Sequence, residues 1–463
     1  MTRTLFTVVL GLVAAAAQAQ VPVPTQAAVA DPVVASSRRA VSLEDALKLT
    51  AVNNQDLAAA KAQQAQFKAQ ASRVWGAILP EITASGSLVY TSAPAKFDFL
   101  GIVGEVGRAY PSVGEISKAY VPYSVDITRE QSAYGTLLLS QILFTPMMFL
   151  IPAASDGVEA ARLGSLEARE QVLLATAKVY LGLEGIGQLE SAAHEAELVA
   201  LKREKDIRAQ MSVGMAVEVA SLRAQTETAQ ARSQLAALAG TREQLLGLLE
   251  ALTGEAVRPL DGSPKPDFGI AAPEASEPWN ATYLVQANTR GLQALDAYHL
   301  YDRLAWMPTV VAQAKGNYNS NAGFTGENFS YDFILAVNIP LYDRGVRYAT
   351  MHENDAKAVE QKAKLNSSRQ KAKATWVATR ASLQAAEAAL AQAESQNALA
   401  TRAQKQLESA VAAGVSTALE LSDIDNKRFF AASAAAQARS QVELRKVELA
   451  AAEGRLAKAL GLE

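Results

Sequence analysis

The 463-residue chain is 49% hydrophobic, only 6% aromatic, and carries a formal charge of -3 with a sequence pI near 5.9. That balance excludes a basic face for nucleic acid, while the Ala-rich apolar fraction favours long, closely packed helices. The absence of cysteine removes disulfides, and a lipid-modified N-terminal Cys, from consideration.

Residues 1–19 read as a signal peptide. Arg3 is the positive n-region, Leu5 to Ala16 the apolar stretch, and Ala17-Gln18-Ala19 the small-x-small cleavage site, so the expected mature chain starts at Gln20 and is exported. The apolar run is shorter than the roughly 20 residues that cross a bilayer, and no later run reaches that length. If the chain enters a membrane, it does so as strands. Residues 20–41 form an N-terminal extension without periodicity.

From Ser42 onward the chain is written twice. Residues 42–257 and 280–463 repeat one order: helix, alternating strand, loop, second strand, very long Ala-rich helix, glycine corner, return helix. Between them lies a linker, 258–279, whose five prolines between Arg258 and Pro278 forbid a helix.

The first repeat opens with a helix-compatible stretch, Ser42 to Leu79, with Ser42 and Asp45 as its capping pair. A strand at about 81–91 follows, then a long loop from Ser92 to Ser132 and a second strand at about 134–144. The second repeat places its strands at about 309–319 and 331–342, around a short loop. Aligning Pro80 with Pro308 (308 − 80 = 228) matches Ile82, Ala84, Gly86, Leu88 and Tyr90 to Val310, Ala312, Ala314, Gly316 and Tyr318. Glu81, Thr83, Ser85 and Ser87, and Gln313, Lys315, Asn317 and Asn319, fall on the opposite face, a period of two. In the last strand Phe333, Leu335 and Val337 alternate with Asp332, Ala336 and Asn338. The strand at 134–144 resists this reading, because Leu137 to Leu139 is an unbroken apolar run. Two structures fit the alternation: a membrane barrel, apolar outside and polar within, and a soluble sheet with one wet face.

Helix-compatible sequence then runs from about Ala153 to Val213 and from about Val346 to Ala413. At 1.5 Å per residue these helices span roughly 90 and 100 Å, far beyond an ordinary globular helix. Each ends at a glycine, Gly214 or Gly414, and each is followed by a return helix, about Val217 to Thr253 and about Thr417 to Leu460. Apolar residues at helical spacing among Glu, Lys, Arg and Gln suit antiparallel coiled-coil hairpins. Four strands cannot close a membrane barrel, so several copies must share one.

The opening "SLEDALKLTAVNNQDLAAAKAQQAQFKAQASRVWGAILPEITASGS", the strand exits "LSQILF" and "NIPLYDRGVR", and the two glycine corners resemble the outer membrane efflux protein (TolC-like) family from about residue 40 onward. The resemblance implies an α plus transmembrane-β fold: a homotrimer pooling four strands per chain into a twelve-stranded barrel in outer-membrane lipid, with long coiled-coil helices forming a periplasmic α-barrel. It also implies an exit duct whose tip docks a periplasmic adaptor and an inner-membrane transporter of an efflux pump, in the outer membrane of a Gram-negative bacterium. The tip residues are Val213, Gly214 and Met215, and Gly414, Val415 and Ser416; the membrane-facing residues are Ile82, Leu88, Tyr90, Val310, Tyr318, Phe333, Leu335 and Val337.

In that family an acidic pair three residues apart lines the narrow tip, and Glu420 and Asp423 occupy those places. Three chains would present six carboxylates whose crowding attracts cations and raises some pKa values. Compared without gaps, the first corner has Ala220 and Arg223 there. Glu420 also fits a capping box with Thr417, and both roles stay open.

The first repeat lacks the Asp343 to Gly345 turn and carries instead an apolar segment, 145–157, that suits either the membrane's inner edge or ordinary packing. The three histidines, His194, His299 and His352, are scattered, and no phosphate loop, nucleophile elbow or cofactor motif occurs. The chain is therefore expected to be neither an enzyme nor a cofactor or metal protein. Two alternatives to an efflux duct are the outer-membrane component of a type I protein secretion system and a soluble periplasmic coiled-coil spacer or adaptor.

Overall fold

A computed structural model describes residues 38–93, 95–97, 109, 110, 125, 126, 129–214, 217–260, 262, 277–321 and 326–461. The chain divides into two units, residues 1–39, of which only 38 and 39 are described, and residues 40–463. The expected signal peptide, most of the N-terminal extension, most of the 92–132 loop and of the 258–279 linker, and Met215 lie outside the described residues.

Ser42 starts α1 (Leu43–Asn53): its Oγ accepts from Asp45 N at 3.1 Å and donates to the Asp45 carboxylate at 2.7 Å. The stretch expected as one helix to Leu79 breaks at Asn54, whose backbone is extended. Asn54 ends α1 and caps α2 (Gln55–Gly76), its Oδ1 accepting from Asp56 N and Leu57 N at 2.9 and 3.2 Å while its Nδ2 donates to Leu252 O at 3.0 Å. The strands follow as β1 (Glu81–Tyr90) and β2 (Gln131–Phe144), and a short ladder pairs Lys96–Phe97 with Val125–Asp126 in the intervening loop. A 3-10 turn at Pro146–Leu150, capped by Thr145, leads into α3 (Ile151–Ser212), and α4 (Glu218–Thr253) returns. That turn packs against α5 (Tyr283–Leu304), with Pro146 buried and Met147 exposed.

In the second repeat β3 (Thr309–Asn319) and β4 (Phe329–Asn338) precede α6 (Val346–Ala412) and α7 (Ala418–Ala452). The last strand, expected to reach Tyr342, stops at Asn338, because Pro340 has no N–H for the ladder. Asp343 then accepts from Arg347 N at 3.0 Å and Arg347 Nε at 2.8 Å, and Arg344 and Gly345 take left-handed φ values of 61° and 80° to turn into α6. The final helix is also interrupted short of Leu460. Gly454, at φ 66°, lies against Ala281 and Thr282, and a separate turn, α8 (Leu456–Ala459), follows.

The four strands form one antiparallel sheet in the order β1-β2-β3-β4, so β1 and β4 are open edges. Register settles the Leu137 to Leu139 run. Leu139 opposes Ile82 and Ala314, and Leu137 opposes Ala84 and Gly316, so both join the apolar face and Leu138 faces the other way.

The helices lie side by side in a matching order. Near the sheet α3 and α6 flank α5 and α2 packs on α3; beyond it the order is α4, α3, α7, α6. The main core sits where α1, α3, α4, α7 and α8 converge, around Leu43, Leu47, Leu173, Leu249, Val447 and Leu456. Tyr180 is fully buried there, its hydroxyl donating to Val41 O at 2.9 Å. Among the described residues no helix is long and apolar enough to cross a membrane.

Candidate functional site: the helix tips and the apolar sheet face

The chain turns the same corner twice. Gly214 and Gly414 both adopt left-handed backbones, φ 80° and 75°, and each donates its N–H to a carbonyl three residues back, Met211 and Val411, at 3.0 Å. At the second corner Val415 N also donates to Ala410 O at 2.9 Å, which completes a Schellman cap. Val213 and Val415, at the two apices, are 68% and 79% exposed, and Gly414 is exposed with them; Ser416 is half-buried.

The helices leaving the corners start differently. Val217 offers α4 no side-chain cap, whereas Thr417 and Glu420 form a full capping box: Thr417 Oγ1 accepts from Glu420 N at 3.3 Å, and the Glu420 carboxylate accepts from Thr417 N at 3.0 Å. That backbone N–H holds the Glu420 carboxyl below the usual carboxylate range. Within one chain the effect thus runs opposite to the rise expected from crowding between chains.

Asp423, one turn further on, is exposed and ion-paired to Lys427 at 2.6 Å. Reading the acids alone misses this cation, although an Asp at i with a Lys at i+4 on one helix face is a local signal. Glu420, Asp423 and Lys427 together therefore carry one net negative charge per chain rather than the two of the acids alone.

A second polar group lies between the hairpins. Arg203 on α3 donates to Asp425 on α7 at 2.5 Å and to Glu227 on α4 at 3.1 Å, and Gln404 on α6 donates to Asp425 at 2.8 Å. All four long helices meet in it, and Gln404 is buried. No sequence motif marks it, since its members are scattered over 222 residues.

At the other end the sheet has one apolar face, and both edge strands are exposed along their whole length. Ile82, Leu88 and Tyr90 on β1 and Phe333, Leu335 and Val337 on β4 are exposed, Leu88 at 87% and Phe333 at 79%. Val310 and Tyr318 share that face, paired with Val337 and Phe329, but sit on an inner strand, where Val310 is half-buried. The opposite face brings together Thr83, Ser85, Thr136, Asn317 and Asp332, with Asn317 donating to Asp332 at 3.0 Å.

Residues 284–461 match the family described as outer membrane efflux protein. No curated protein matches the chain in sequence. The fold is that of solved outer-membrane channels, including the CmeC outer membrane channel of Campylobacter jejuni (TM-score 0.74, 15% identity, 94% of each chain covered). A membrane protein from Pseudomonas aeruginosa aligns with a TM-score of 0.73 and 19% identity over 93% of this chain and 99% of its own. The outer membrane protein VceC of Vibrio cholerae aligns at 0.70 and 16% over 91% and 97%. At these identities the likeness is one of fold.

Proposed function

We propose that three copies of this chain form an outer-membrane exit duct, continued through the periplasm by the helices, and that the glycine corners dock a periplasmic adaptor which links the duct to an inner-membrane transporter. The observation that carries this reading is the sheet with two open edges and one apolar face. In lipid, unpaired edge N–H and C=O groups cost several kcal/mol each, and four strands cannot curl shut, so β4 of one copy must pair with β1 of the next. The helix order leaves α4 and α6 open in the same sense, so one rotation closes both layers. Helices of 62 and 67 residues reach about 95–100 Å from the membrane. The efflux role is supported by the family match over residues 284–461 and by the channels that share the fold. The duct itself performs no catalysis; energy and choice of cargo reside in its partners.

Detergent extraction tests the assembly: a trimer that survives heating and conducts in planar bilayers is expected. A monomer released by osmotic shock and stable without detergent would instead identify a soluble spacer. Deleting the gene is expected to sensitise cells to toxic small compounds; loss of a secreted polypeptide alone would assign the duct to protein secretion.

A further inference from the structure

Along α7 one line of exposed positions runs Glu420, Asp423, Lys427, Phe430, Ala434, Gln437 and Gln441, at alternating steps of three and four residues, with Asn426 and Arg439 exposed beside it. One of them is a bare phenyl ring. Phe430 is 63% exposed, on a stripe that is otherwise charged, amide-bearing or small. Seven residues bring it to within about 20° of Asp423 on the helix circumference and about 10 Å further from the tip.

Trimer packing does not cover this face. A helix in a tubular wall has two lateral neighbours, and α7 finds both in its own chain. Toward α6 it buries Val442 and Leu449 against Leu383, and Arg439 pairs with Glu394. Toward α3 it sets Asp425 on Arg203, Arg428 on Glu195 at 3.5 Å, and Ser440 against Gly185, where a Cβ would come within 2.9 Å of the hydroxyl. The open edges are α4 and α6, so a sibling chain meets those helices and leaves the α7 stripe bare. The hidden part of the Phe430 ring rests against Phe429, ring centroids 5.5 Å apart, at the mouth of the cleft between the hairpins. With neither core nor sibling over it, the exposed part of the ring is free to contact whatever passes along this face.

We infer that Phe430 lines the duct two turns above Asp423, where three phenyl rings contact the apolar part of a cargo whose positive charge is drawn by the acids below. The inference rests on the proposed duct and on Asp423 facing its lumen. It assigns the stripe a preference for amphiphilic cations: the carboxylates supply attraction, and the ring supplies apolar and cation–π contact.

Because the native chain has no cysteine, single-cysteine variants of the whole trimer can be labelled cleanly. In planar bilayers, tetrabutylammonium added at the tip side is expected to block wild type. Phe430→Ala should weaken that block about fivefold while leaving Mg2+ block unchanged, and Phe430→Trp should retain it. Asp423→Ala should weaken both. A bulky thiol reagent on Phe430→Cys should reduce the conductance. Unchanged tetrabutylammonium block in Phe430→Ala would overturn the proposal, as would current unaffected by labelling at 430 while labelling of Asp423→Cys reduces it. If labelling at neither position alters current, the lumen-facing reading of the tip itself falls.

Discussion

Arg203 and Asp425, 222 residues apart in sequence, lie 2.5 Å apart between α3 and α7 and join the two halves of the duplicated chain. Their side chains are 16% and 12% exposed, so the pair is largely shielded from water, and Gln404 and Glu227 complete it. Replacing Arg203 with Met should leave Asp425 dependent on Gln404 and lower stability by about 1–3 kcal/mol, read as a fall in the thermal midpoint of the purified assembly. Adding Asp425→Leu should recover most of the loss, since an apolar pair replaces a charge left alone. A double variant less stable than Arg203→Met would show that the acid has a separate role.

Glu170 supplies a pH signature. Burial against the core pushes its carboxyl up to about 7, although Ala457 N donates to it at 2.9 Å. The folded pKa stands above the unfolded value, so the folded chain holds the extra proton. The stabilising contribution is complete below about pH 4.5 and is lost as pH rises through about 7. Glu170→Gln, which mimics the protonated acid, should flatten the pH dependence of the melting temperature between pH 5 and 8. At pH 8 it should exceed wild type by a few kcal/mol at most, since each tenfold change in proton affinity is worth about 1.4 kcal/mol. Parallel curves for the two proteins would refute this.

At the tip the balance of Glu420, Asp423 and Lys427 predicts opposite effects from opposite deletions. Glu420→Ala with Asp423→Ala should reduce cation preference in reversal-potential measurements, while Lys427→Ala should raise it by freeing Asp423. Selectivity indifferent to both would reduce the acids to their roles as helix cap and helix-face ion pair.

The two faces of the sheet should tolerate charge differently. Phe333→Arg, on the apolar face, is expected to cost about 2–4 kcal/mol of membrane stability and to reduce the heat-resistant trimer recovered from membranes. Ser85→Arg, beside Thr136 on the polar face, should leave trimer yield unchanged and alter conductance. Equal loss in both would point to a sheet that does not face lipid on one side.

What is legible along the chain is local. The period of two that sorts Ile82, Leu88 and Tyr90 from Glu81, Thr83 and Ser85, and the long helices ended by Gly214 and Gly414, depend on neighbouring residues and follow from sequence alone. Three local features escape such a reading. Asn54 sits in a polar helical stretch where nothing in the composition singles it out, yet it caps the next helix and reaches Leu252 O. Gly454 offers no periodic cue, and its bend is set by close approach to Ala281. Lys427 is overshadowed by the acids before it, and its pairing with Asp423 halves the charge they present.

The amino-acid sequence by itself determined the strands and the long hairpins, because alternation and glycine corners are properties of short windows. Only the tertiary structure decided the strand order, the facing of Leu137 and Leu139, the side-by-side order of α4, α3, α7 and α6, and the bond between Arg203 and Asp425. Those depend on which surfaces meet after the chain has doubled back, and a contact between residues hundreds of positions apart leaves no periodicity along the chain to reveal it.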